Sequence, residues 1–165
     1  MSPRYLVAVL TLALLGTASA DAGAQTSHSH TKGSPAASTA SSPVITLERT
    51  QCKGQCAEYK LSFYNDGTVT YDGRANASKS GLWRASVPKQ TIAELIAEFQ
   101  RDNFFALQDK FSGGLSENPV AITSFRQNDR VKTVSHDEGS PFSPPSLTAL
   151  EDRVDASVQS VNWVR

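Results

Sequence analysis

Between Glu58 and Tyr71 the chain alternates polar and apolar residues twice, with Asn65-Asp66-Gly67 between the two runs. Tyr59, Leu61 and Phe63 share one face of the first run, and Thr68-Val69-Thr70-Tyr71 alternates in the second. Asp-Gly between alternating runs predicts a β-hairpin, because glycine accepts the positive φ that the turn requires. Val44 to Thr50 has the same two-residue period and predicts a strand before the hairpin; Ser80 to Arg84 predicts one after it. The period then changes. Ile92, Leu95, Ile96 and Phe99 stand at i, i+3, i+4 and i+7, the apolar stripe of a helix, and Pro88 suits its first turn. Phe104, Phe105 and Leu107 continue the core, and 112–119 reads as a loop. Val120 to Phe125 and Arg130 to Val134 predict a second hairpin around Asn128-Asp129. Pro144 opens a last helix with the stripe Leu147, Leu150, Val154, Val158 and Val161, and Trp163 closes the chain. The resulting order, β-β-β-β-α-β-β-α, predicts an α+β fold: a mainly antiparallel sheet with its helices on one face.

The N-terminal residues carry a different message. Arg4 precedes an apolar run from Tyr5 to Gly16, followed by Thr17-Ala18-Ser19-Ala20. A basic start, a short apolar core and a small-x-small exit make a secretory signal over residues 1–20, cleaved after Ala20 or, second, after Ala24. The apolar run falls short of the roughly 20 residues needed to span a bilayer, so no membrane span is expected after cleavage. No cysteine lies near the exit to take a lipid anchor. The expected location is therefore outside the cytoplasm, periplasmic or extracellular. Residues 21–43 are mostly Ala, Ser, Thr, Gly and Pro and read as a disordered tether. Val44 to Arg165, about 120 residues, then forms a single domain. The full chain carries 16 Lys+Arg and 16 Asp+Glu, and loss of Arg4 leaves a balance of −1. That balance argues against nucleic acid or an anionic membrane as partner, since both demand a basic surface.

Cys52 and Cys56 are the only cysteines. In an exported chain an even count predicts a disulfide, and Gly54 between them permits the tight turn. Lys53 and Lys60 nearby would favour a redox role by lowering a thiol pKa. The Cys-x3-Cys spacing and the lack of a preceding βαβ frame argue for a structural bridge. Two thiols supply half the ligands of a zinc site. His28 and His30 lie in the tether, without the supporting groups a metal site needs. His136, the one histidine of the domain, reads as polar surface at a strand end, with a nucleophile–base pairing to Cys52 or Cys56 the sharper alternative. Asp102, Asp109 and Glu117 show no motif spacing, and Gly113-Gly114 lacks the Lys-Ser/Thr of a phosphate loop. No catalytic residue, cofactor or metal is expected.

Cys52-Lys-Gly-Gln-Cys56-Ala-Glu-Tyr59, the Tyr-Asn-Asp-Gly-Thr68 hairpin and Asp102-Asn-Phe-Phe-Ala-Leu107 together resemble a family of exported bacterial domains of unknown function, the one numbered sixty-four thirty-eight. Its members carry Cys-x-Gly-x-Cys-Pro-x-Tyr, a Tyr-x-Asp-Gly-Thr hairpin and then a helix. Ala57 replaces the usual proline here, and Ser116-Glu117-Asn118 fills a segment that often ends in Asp. The resemblance runs from Ile45 to about Trp163 and implies no activity. Two function classes follow from the residues. One is a non-enzymatic envelope module, binding or structural, whose partner is a protein, peptide or glycan. The other is a thiol–disulfide protein using Cys52 and Cys56.

Overall fold

The period-two runs become strands because alternate side chains then reach one buried face. The computed structural model describes residues 41–114 and 117–165. The expected secretory signal, and all of the expected tether but residues 41–43, lie outside the described residues. The strands are β1 (Ile45–Arg49), β2 (Tyr59–Phe63), β3 (Thr68–Gly73), β4 (Gly81–Ser86), β5 (Lys110–Phe111), β6 (Val120–Gln127) and β7 (Arg130–Asp137). Helix α1 (Lys89–Arg101) follows β4, and α2 (Pro145–Ala156) follows β7. The seven strands form one sheet in the order β4-β3-β2-β1-β6-β7-β5, antiparallel except for the β5–β7 pair. The α+β reading holds.

Ile45, Leu47, Leu61, Phe63, Val69 and Phe125 project from one face of the sheet. Against them lie Ile92, Leu95 and Phe99 of α1 and Leu147, Leu150 and Val154 of α2. The rings of Phe104 and Phe125 sit 5.0 and 5.1 Å from that of Phe99, which fills the centre of this layer. The β2–β3 turn follows the Asp-Gly rule: Gly67 has φ +94°, and Asp66 Oδ1 accepts the Thr68 N–H at 2.8 Å. A Cβ on Gly67 would also stand 2.6 Å from the Val87 carbonyl, so the turn docks directly against the approach to α1.

The other face of the sheet carries no helix. Thr133, Ser124, Thr46, Ser62 and Thr70 stand in register on it, one from each of five adjacent strands.

Several details differ from the sequence reading. The second hairpin extends through Gln127 and Asp137, and a short strand, β5, pairs parallel to β7. Too few residues form β5 for any period to show. Helix α2 stops at Ala156, where the Ser157 hydroxyl donates to the Val154 carbonyl at 2.7 Å. Val158 therefore lies in the turn of residues 157–160 that follows the helix, and Val161 in the irregular tail beyond it. That tail crosses to the sheet edge, where Val164 and Arg84 exchange N–H···O bonds of 2.8 Å each.

Candidate functional site

Arg49 follows Ile45 and Leu47 in the core-facing phase of β1, so its side chain enters the layer between sheet and α2. It donates from Nε and Nη2 to Asp155 Oδ2 at 3.2 and 2.8 Å, and from Nη1 to Glu138 Oε1 at 2.6 Å. Nη1 also lies 3.9 Å from Glu151 Oε2. Burial alone would make the guanidinium easier to deprotonate. The hydrogen bonds and charges of Asp155 and Glu138 outweigh that and hold its pKa above the ordinary value. Glu151, buried on α2, accepts the Thr123 hydroxyl at 2.7 Å and stands 2.7 Å from His136 Nε2. The Tyr59 hydroxyl donates to Asp155 Oδ1 at 2.7 Å; burial, then the Asp155 charge, pushes that phenol above its usual range. This network fastens α2 to β1, β2, β6 and β7 at once.

Tyr59 and Asp155 also form the back of a groove of about 660 Å³ between the sheet and the tail after α2. The groove has an aromatic floor. Tyr59 and Tyr71 stack with centroids 5.3 Å apart, and Trp163 from the tail leans on Tyr71 at 5.6 Å. Val158 and Val161, displaced from the helix, complete the apolar lining. Asn76, Ser78, Lys79, Gln159 and Asn162 form a polar rim. The 74–80 loop reaches the groove by folding tightly back over β3. A Cβ on Gly73 would stand 1.8 Å from the Lys79 carbonyl, so only glycine fits, and Asn76 turns the loop at φ 56°. Chemically, such a site can cover the apolar face of a ligand with rings and meet its polar edges with amides, a hydroxyl and one ammonium.

The residues nominated from sequence do not assemble there. Cys52 and Cys56 are bonded to one another in the β1–β2 loop, with Cα atoms 5.5 Å apart. The two lysines near them are engaged by carboxylates, Lys53 by Glu117 and Lys60 by Glu48. His136 corrects the surface reading: it is 2 % exposed, in the core phase of Val134, and its Nε2 meets Glu151 and not a sulfur. Its Nδ1 is buried without a hydrogen-bond partner. Asp102, Asp109 and Glu117 are dispersed, on Arg101, Lys132 and Lys53 respectively. The Gly113 N–H and the Ser112 hydroxyl both bind Asp137, so that loop holds a carboxylate of its own chain. His28 and His30 lie outside the described residues. Among the described residues no His, Cys, Asp and Glu cluster could hold a metal ion, and no helix is long and apolar enough to cross a membrane.

Sequence reasoning missed Arg49, Glu151 and Asp155. The signal was present: Arg49 stands where the β1 alternation demands an apolar residue, and Glu151 falls within the α2 stripe.

No curated protein matches this chain significantly. The family model described as Domain of unknown function (DUF6438) matches residues 43–158, from the start of β1 to just past α2. With every strand and both helices inside that match, the chain belongs to the DUF6438 family.

Proposed function

We propose that this domain is a non-enzymatic exported module that binds a peptide or glycan of the bacterial envelope in the groove between β2, β3 and the tail after α2. One observation carries the reading: a preformed groove of about 660 Å³ with an aromatic floor and a polar rim, backed by a network that fixes Tyr59 and Asp155. Its size is that of sites which enclose small ligands, roughly 300–1,000 Å³. Export is supported by the sequence of residues 1–20 and is tested by N-terminal sequencing of protein from the envelope or medium. A mature start at Asp21 or Gln25 is expected; retention of Met1 would remove the export half of the proposal. Binding is tested by capture from envelope extract with tagged wild-type protein and with Trp163→Ala in parallel. A peptide or glycan retained by the first and lost from the second is expected. Equal retention would clear the groove of the role.

A second reading, thiol–disulfide exchange, is favoured by the position of the bridge, half-exposed on a surface loop. A reduction midpoint between roughly −120 and −270 mV with fast exchange would promote it.

A further inference from the structure

Arg126 stands on the sheet face that carries no helix, opposite Val131 of β7, and its N–H donates to the Val44 carbonyl at 2.8 Å. With Val44, Thr46, Lys60, Ser124 and Val131 it lines a cavity of about 240 Å³. No carboxylate lines this cavity. Elsewhere on the sheet the partly buried cations Arg49 and Lys60 are paired, Arg49 with Asp155 and Glu138 and Lys60 with Glu48. Arg126 has no carboxylate within ion-pair distance among the described residues, and its Nε is buried without an acceptor. A buried N–H of a charged group costs free energy when it meets no acceptor, so an unanswered guanidinium beside a cavity points to a missing anion.

We propose that this cavity is an oxyanion site that takes one carboxylate, sulfate or phosphate group, either as a free ion or as the acidic end of a larger molecule. The Arg126 guanidinium supplies planar, paired donors suited to an oxyanion. The Lys60 ammonium adds charge, and the Thr46 and Ser124 hydroxyls donate from the adjacent strands. Glu48, two residues along β1 from Thr46 and on the same face, is held between Lys60 and Arg74 at 3.2 and 2.6 Å, so its charge is countered by two cations. The site lies on the opposite face of the sheet from the aromatic groove. It does not depend on ligand binding there.

The test is titration of the full exported protein with sodium sulfate, sodium phosphate and sodium acetate at constant ionic strength, followed by proton–nitrogen correlation spectra. A saturable shift of the Arg126 Nε–H resonance, with the Thr46 and Ser124 amides moving alongside it, is expected. Arg126→Gln should weaken the apparent affinity at least about tenfold, the loss of one charge-assisted pair. General salting effects of sulfate act equally on wild type and variant and cancel in the comparison. Stronger response to sulfate or phosphate assigns the site to those anions, and stronger response to acetate assigns it to the carboxylate of a larger ligand. The absence of a saturable shift with all three anions would overturn the proposal, as would an unchanged titration in Arg126→Gln. If that variant does not fold, the wild-type Arg126 resonance decides alone.

Discussion

Replacing Arg49 by methionine keeps the apolar stem of the side chain and removes the charge that four carboxylates face, Glu138, Glu151, Asp152 and Asp155. Its side chain is 15 % exposed, so water replaces little of what is lost. Asp155 would retain only the Tyr59 hydroxyl, Glu138 would lose its ion pair, and Glu151 would keep Thr123 and His136. Removing one partner of a buried ion pair costs about 3–5 kcal/mol. The Asp155 and Glu138 side chains remain 26 and 33 % exposed and can recover some hydration, which places the expected loss near the lower end, about 3 kcal/mol. Urea denaturation at neutral pH measures it. With a slope of about 2 kcal/mol/M the midpoint should fall by about 1.5 M at unchanged slope. Adding Glu151→Gln to Arg49→Met should cost less than the sum of the single changes, because the second substitution removes a charge that the first left unanswered. A midpoint for Arg49→Met within about 0.3 M of wild type would refute the reasoning, since it would mean the carboxylates are adequately solvated without their cation.

The remaining predictions concern protonation and the bridge. The folded Tyr59 pKa is raised above the ordinary 10.0, so its contribution is complete below pH 10.0 and is lost as the pH climbs toward the folded value; native wild type and Tyr59→Phe should show the same tyrosinate absorbance at pH 10.0. Glu48 and Asp137 lie below their ordinary 4.5 and 3.8: burial opposes the Glu48 shift but Arg74 and Lys60 outweigh it, and the Ser112 hydroxyl lowers Asp137. Their contributions are complete above those values and lost as the pH falls through the lower folded ones, so the urea midpoint should drop on acidification, and less steeply in Glu48→Gln. Replacing both Cys52 and Cys56 by serine should cost about 2 kcal/mol and leave the circular dichroism spectrum native, because so short a loop limits the chain entropy removed. The bridge itself should titrate below about −300 mV in dithiol buffers; a midpoint in the glutathione range would count against a structural role.

The local elements were legible because their causes are local. Alternation and Asp-Gly mark the β2–β3 hairpin, and Ile92, Leu95 and Phe99 mark the buried face of α1. The position of β1 at the centre of the sheet was not legible, since a period of two says which face a residue takes and nothing about which strand it joins. Val158 lies in the turn that continues α2 and Val161 in the tail beyond it, and both line a groove with rings that only the folded sheet brings together. The candidate site shares that difficulty. Tyr59, Tyr71 and Trp163 are far apart in sequence and meet through β2–β3 pairing and the return of the tail. His136 and Arg49 were readable in principle, as polar residues in the core phase of their strands. Their partners on α2 were not, because helix-to-strand register is set by packing.

The central place of β1 also dictates an order of events for a chain that emerges N-terminus first. Its β2 neighbour follows after a short loop, and β1 to β4 can pair as successive hairpins, which close quickly. The other edge of β1 must wait for β6, more than 70 residues later, as the Leu47–Thr123 pairing shows. Until then β1 presents an open row of backbone donors and acceptors, and Arg49 has met neither Glu138 nor Asp155. The slow step in making this domain should therefore be docking of the β6–β7 hairpin and α2 onto a preformed four-stranded meander. Substitutions in the Arg49 network would then act mainly on the rate at which the finished sheet comes apart.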